Sequence, residues 1–221
     1  MLSNLDICSG IGGFALGFQR AGIKTTAFCE NEPFCQQILA KHFPTVPIIE
    51  DARELTYGNY TSAGHRRPDI ITAGFPCQPY SRGHYKRAGR KDDRDLSQEI
   101  VRIVDEFKPA VSVLENVEGF ADIGLYALVD DLETIGYCTK VLSLPACAVG
   151  LPTLERHLWI ISSPDEIRLQ GCIETTVSKL ERIQEQFQGS HKGLPDRWSS
   201  SKSRVCRVGE RLSEGLDKSD S

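Results

Sequence analysis

Short apolar runs alternate with stretches of helical spacing along the first three quarters of the chain. Residues 2–7 (LSNLDI) predict a strand, and a glycine-rich turn separates it from a helical face through Phe14, Leu16, Gly17 and Phe18. Residues 25–30 predict a second strand. A helix opened by Pro33 follows, since the fixed φ of proline suits a first helical turn, and it runs to about His42. A short third strand is expected at 48–51 and a fourth at 69–75 (DIITAGF). Ile100, Val101, Ile103 and Val104 give residues 97–107 a helical apolar stripe. A fifth strand at 110–117 (AVSVLENV), a helix at 125–135 and strands at 139–144 and 158–162 complete the series.

Strands that alternate with helices imply an α/β fold, with a mostly parallel sheet covered by helices on both faces. Ligands of such sheets bind outside the carboxyl ends of the strands, so residues just after strands carry the chemistry. The pattern changes after Ser163. A helix is expected at 178–187, residues 191–203 are rich in Gly, Pro and Ser, and the last residues are polar. Residues 1–163 therefore read as one domain and 164–221 as a small irregular appendage with a flexible tail.

With 221 residues, 40% of them hydrophobic, the chain can bury one sizeable core but not a second full domain. A net charge of -4 neither demands nor excludes a nucleic-acid partner, because local charge decides that. No apolar run is long enough to cross a membrane. The eight cysteines show no Cys-x-x-Cys spacing. They are expected to be reduced, mostly buried thiols of a cytoplasmic protein, with no metal site among them.

The turn after the first strand reads Asp6-Ile-Cys8-Ser-Gly10-Ile11-Gly12-Gly13-Phe14. Its glycines allow a sharp turn and close approach of a ligand to free helix-start N–H groups. Taken alone, the run fits a dinucleotide fingerprint or a purely structural turn equally well. Glu30 closes the second strand and Asp51 the third. The first suits a ribose diol and the second an adenine amino group, and each taken alone is equally a solvated strand-end carboxylate.

Gly74-Phe-Pro76-Cys77-Gln78 ends the fourth strand and Glu115-Asn116-Val117 the fifth. Together with the glycine turn, Glu30, Asp51, residues 69–81, Asp93-Arg94 and Gly150-Leu-Pro152, these runs resemble the cytosine-5 DNA methyltransferase family over roughly residues 5–162. The resemblance implies a Rossmann-like fold and S-adenosylmethionine as cofactor. Asp6, Cys8, Gly10, Ile11, Gly12, Gly13, Phe14, Glu30, Asn31, Asp51, Ala52, Gly74, Pro76 and Leu96 would hold it. It also implies that Cys77 adds to carbon 6 of cytosine, making carbon 5 reactive, while Glu115 protonates N3. Asn116 and Pro76 would fix the loop, with Gln78 beside them.

Residues 82–94 carry six basic side chains against Asp92 and Asp93. The resemblance makes this segment the DNA-covering arm, with Ser81, Arg82, Lys86, Arg87, Arg90 and Arg94 as contacts, and the target base flipped out of the duplex. Double-stranded DNA is the implied partner, and a restriction endonuclease an expected companion. A catalytically impaired, DNA-binding relic or a tRNA cytosine-5 methyltransferase are the alternative readings, and a dinucleotide oxidoreductase leaves Cys77 and Glu115 without a purpose.

Three departures stand out. Cys8 occupies a position that is often phenylalanine in the family. The family's Q-x-R-x-R segment falls on Thr153, Glu155 and His157, with Arg156 one residue out of step, so that on an extended segment it points the other way and catalysis is expected to be weak. The family's closing Gly-Asn segment has no counterpart, so either a second chain is expected to supply it or the protein is a truncated remnant with impaired cofactor binding.

Overall fold

The computed structural model describes residues 1–76, 96–151, 153–167, 169–171, 173–175 and 178–179. Its strands are β1 (Ser3–Ile7), β2 (Lys24–Cys29), β3 (Ile48–Ile49), β4 (Ile70–Gly74), β5 (Val111–Val117), β6 (Cys138–Pro145) and β7 (Arg156–Ser163). Its helices are α1 (Gly13–Arg20), α2 (Pro33–His42), α3 (Tyr57–Ser62), α4 (Ser97–Phe107) and α5 (Leu125–Thr134). One sheet runs in the order β3-β2-β1-β4-β5-β7-β6. The pairs from β3 to β5 are parallel, whereas β7 runs antiparallel to both β5 and β6.

Period-2 alternation along the strands divides the core between two faces. On one face Leu5, Ile7, Ala27, Ile71, Ala73 and Leu114 pack against α3, α4 and α5, through Tyr60, Ile100, Ile103, Val104, Phe107, Leu128 and Leu132. On the other face Phe28 packs against Ala15 of α1 and Leu39 of α2. The stripe on α4 buries Ile100, Val101, Ile103, Val104 and Phe107, and each such side chain contributes about 1.5–3 kcal/mol. The face under α1 also holds a polar network: Asp6 accepts from Thr72 at 2.6 Å, and Asn4 donates to Thr72 at 3.1 Å.

The third strand is shorter than expected. Asp51 belongs to the turn beyond it, where its carboxylate accepts the N–H of Arg53. Helix α3 escapes propensity because YGNYTS is a poor helix-forming run. It forms because Thr56 caps it through the N–H of Asn59 and Tyr60 anchors it in the core. Beyond β7, helix starts at Glu166 rather than at residue 178. Ser163 accepts the N–H of Asp165 just before that start, and Leu169 is buried. Five cysteines lie among the described residues, all as free thiols, but only Cys29 is buried; Cys8, Cys35, Cys138 and Cys147 are partly exposed, at strand ends, on a helix face or in turns. No helix among the described residues is long and apolar enough to cross a membrane.

Candidate active site and cofactor cavity

An open cavity of about 560 Å³ sits at the carboxyl ends of β1, β2, β3 and β4, within the size range of small-molecule sites. Cys8, Gly10, Glu30, Asn31, Asp51, Ala52, Gly74, Pro76 and Leu96 line it, all expected from the sequence. Cys29, Cys35, Glu50 and Arg53 line it as well and were not expected. Arg53 had a legible signal, since a basic residue two positions beyond Asp51 can fold back on that carboxylate. The two cysteines carried no pattern that separates a cavity wall from core.

The first turn earns its shape from backbone geometry. Cys8 (φ 50°), Gly10 (φ 53°) and Gly12 (φ 90°) all take the left-handed region, which costs a side-chain-bearing residue such as Cys8 energy. The turn is held by Ser9, which donates its hydroxyl to the Asp6 carbonyl at 2.7 Å and its N–H to the Cys29 carbonyl at 3.2 Å. Glu30, buried at the end of β2, then accepts the N–H of Gly10 at 2.7 Å and that of Glu32 at 2.8 Å. Each carboxylate oxygen keeps a second lone pair, enough to receive a hydroxyl from a diol.

Asp6, Ile11, Gly12, Gly13 and Phe14 do not line the cavity. Asp6 is fully buried, one oxygen on Thr72 and the other without a hydrogen-bond partner among the described residues. Burial, joined by the negative charge of Glu30 and partly offset by Thr72, pushes its carboxyl up to about 7. Ile11 is exposed. Gly12 instead admits α2: a Cβ there would lie 2.9 Å from Phe43 and 3.0 Å from Leu39. Phe14 packs edge-on against Trp159 of β7.

The lining chemistry fits S-adenosylmethionine. Glu30, Glu50 and Asp51 are opposed by a single guanidinium, Arg53, which lies 3.3 Å from Asp51. A cavity with this excess of carboxylates suits a sulfonium cation and a ribose diol. Cys8 and Cys29 act as apolar wall. Burial first pushes both thiols up to about 12, joined at Cys8 by the neighbouring carboxylates and at Cys29 by Cys8 and then Asp51 and Glu30, so neither is a nucleophile near neutral pH.

The reacting edge adjoins this cavity at Gly74. The register pairs Gly74 with Glu115, and a Cβ on Gly74 would sit 3.6 Å from Glu115 Oε2 and 3.8 Å from the Cys8 carbonyl. Asn116 points to the opposite face, where it donates to the Phe75 carbonyl at 3.4 Å and receives the N–H of Val117. It thereby ties the end of β5 to the segment entering Pro76. Glu115 meets His157 of β7, Oε1 to Nδ1 at 2.5 Å. Arg156 projects to the other side, donating to Ser143 and lying 3.1 Å from Glu118. Cys77, Gln78, Ser81, Arg82, Lys86, Arg87, Arg90 and Arg94, along with Pro152, lie outside the described residues.

Comparison with known proteins agrees with this arrangement. The family model described as C-5 cytosine-specific DNA methylase matches residues 2–206. The Type II methyltransferase M.NgoMIV of Neisseria gonorrhoeae is 38% identical over 168 residues, 74% of this chain and 52% of that protein. The Type II methyltransferase M.HhaI of Haemophilus parahaemolyticus is 30% identical over 174 residues, 76% of this chain and 50% of its own length. The chain thus spans about half the length of the curated relatives it matches. Among solved structures, Entamoeba histolytica methyltransferase EhMeth superposes with a TM-score of 0.62 at 18% identity, covering 75% of this chain and 53% of that one. A variant of Spodoptera frugiperda DNMT2 gives the same TM-score at 21% identity, covering 74% and 50%. At that identity these two structures speak for the fold.

Proposed function

The chain belongs to the C-5 cytosine-specific DNA methylase family, and from that premise we propose that it transfers a methyl group from S-adenosylmethionine to carbon 5 of cytosine in DNA. The observation that carries this reading is the junction at Gly74, which lines the cofactor cavity on one side and abuts the Glu115 carboxyl on the other. A methyl donor in the cavity and a base held by Glu115 would be adjacent, which is what direct transfer requires.

When bound, S-adenosylmethionine supplies an electrophilic methyl group. Glu30 would take the ribose hydroxyls, Asp51 and Ala52 would hold the adenine, and Leu96, Pro76 and Cys8 would cover apolar surface. Cys77, directly after Pro76, forms a bond from sulfur to carbon 6 of the cytosine. The electron pair displaced into the ring is neutralised at N3 by a proton from Glu115, and carbon 5 becomes nucleophilic. After transfer, loss of the carbon-5 proton expels the thiolate. Asn116 fixes the backbone that presents Pro76, through its bond to Phe75.

The basic run from Arg82 to Arg94 is assigned to DNA phosphates, with base flipping delivering the cytosine. Residues 164–221 are assigned to target recognition beside the catalytic domain of residues 1–163. A cognate restriction endonuclease and a cytoplasmic location belong to the same reading. Methyl transfer from labelled cofactor to duplex DNA, with covalent trapping on DNA carrying 5-fluorocytosine, tests it. Both signals should be abolished by Cys77→Ala. Methylation of tRNA in place of DNA would overturn the substrate assignment.

A further inference from the structure

We propose that His157 is the positioning residue of Glu115, supplying the carboxyl with a removable proton where the family's Q-x-R-x-R pattern would place a permanently charged guanidinium. The inference rests on the reading of Glu115 as the group that serves cytosine N3.

The geometry follows from strand direction. Because β7 is antiparallel to β5, Val117 pairs with His157 and Glu115 with Trp159, so Glu115 and His157 are diagonal neighbours on one sheet face. Both side chains are half-buried, with relative exposures of 25% and 34%, and Nδ1 lies 2.5 Å from Oε1. Oε1 is thereby held away from the other oxygen, Oε2, which faces the Gly74 junction. Among the described residues no guanidinium takes this place, and Arg156 is committed across the strand to Ser143 and Glu118. Glu155 is exposed; its N–H donates to Thr153 and its carbonyl accepts the N–H of Ala146.

Among the described residues, the other titratable or charged groups on the packed elements are few. Asp6 lies on β1 under α1, with its carboxyl pushed up to about 7, and Cys8 in the first turn keeps its proton. Glu118, just after β5, is paired with Arg156. Gly74 of β4, Phe14 of α1 and Leu144, the β6 partner of His157, carry no charge.

An arginine would stay protonated throughout the working range, so its hold on the carboxyl would not change with pH. An imidazole binds and releases a proton near neutrality. The Glu115–His157 pair can therefore carry one exchangeable proton. That proton goes to N3 as sulfur bonds to carbon 6, leaving carboxylate and neutral imidazole. It returns to the pair from N3 as solvent water takes the carbon-5 proton and the ring expels the thiolate.

The test uses the full chain and the variants His157→Arg, His157→Gln and Glu115→Gln, each checked by its thermal melt. Nitrogen-15 spectra of the histidine rings read the contact without reference to activity. The Nδ1 of His157 should be protonated and hydrogen-bonded in the resting protein, and its signal should move in Glu115→Gln. An unprotonated Nδ1, or one that ignores Glu115→Gln, overturns the proposal. Single-turnover methyl transfer across pH 6–9 then reads the role. His157→Gln should slow transfer by about 100-fold or more, the lower end of acid–base contributions, while His157→Arg should retain transfer and lose the decline on the alkaline side. An alkaline decline unchanged in His157→Arg overturns the proposal even if the spectra agree. If the wild-type chain forms no adduct with 5-fluorocytosine DNA, the activity reading fails and with it the catalytic role of His157, whereas the spectra still decide the contact.

Discussion

The carboxylate of Glu30 accepts the backbone N–H of Gly10 at 2.7 Å, tying the end of β2 to the turn after β1. Its other oxygen accepts from Glu32 at 2.8 Å, so one side chain sets two walls of the cavity. Glu30→Gln removes the charge and replaces one acceptor with a donor that meets an N–H head-on. A lost charge-assisted hydrogen bond costs about 1.5–3 kcal/mol, or roughly 10- to 150-fold in affinity. Calorimetric titration with S-adenosylmethionine should show a loss of that order, and unchanged affinity would remove Glu30 from the site.

Arg102 of α4 reaches under the same cavity. Its guanidinium donates to the carbonyls of Ala52 and Leu55 at 3.0 and 3.1 Å, while Glu99 and Glu106 hold its other nitrogens. Arg102→Met keeps the apolar stem, removes the charged donor from both carbonyls and leaves Ala52 only the N–H of Leu55. Because the side chain is about one-third exposed, the expected destabilisation is modest, about 1–2 kcal/mol. Cofactor affinity should fall with it, since Asp51 and Ala52 ride on that loop. A denaturant melt and a binding titration on the same variant check both halves.

Gly12 and Gly13 are neighbours with opposite requirements. Gly12 has φ 90° and faces Phe43 and Leu39 too closely for a methyl group. Gly12→Ala should destabilise the protein by about 1–3 kcal/mol. Gly13 opens α1 and has nothing within 4 Å of its absent Cβ, so Gly13→Ala should be neutral or stabilising by up to about 1 kcal/mol. Equal melting temperatures for the two variants would contradict the packing assigned to the turn.

Asp6 makes stability depend on pH. Its carboxyl is raised from an ordinary 3.8 to about 7 by burial, so the folded chain holds this proton more tightly than the unfolded chain. The resulting contribution is complete below about pH 4 and is lost as pH rises to about 7. Asp6→Asn keeps an acceptor for Thr72 and never ionises. Its melting midpoint should exceed the wild-type value at pH 8 and approach it at pH 5. A gap that does not widen with pH would reject the assignment.

Where pattern was strong, the fold was legible in the sequence. The α4 stripe placed Ser97 and Phe107 at the observed ends of that helix, and Pro33 marked the start of α2. Helix α3 was hidden because its stability comes from the burial of Tyr60 and the Thr56 cap rather than from helix-forming residues. Strand-end logic found Glu30, Asp51, Gly74 and Glu115, which the topology brings to one edge. The same motif reading gathered Gly12 and Phe14 into the cofactor set, although they serve packing with α2 and Trp159. A glycine run shows that close approach is needed but not which neighbour approaches. His157 was legible only as a departure from an arginine pattern, because its contact with Glu115 depends on the pairing of β7 with β5, which no local spacing encodes.

The reversed direction of β7 has a consequence for how this protein can change. Side chains along a strand alternate sides, so slipping β7 by a single residue against β5 would turn His157 outward and bring Arg156 to Glu115. A one-residue insertion or deletion in the connection between β6 and β7 would be enough. Whether the carboxyl is served by a proton that comes and goes or by a charge that never leaves is therefore governed by loop length, without any exchange of amino acids on the strand itself.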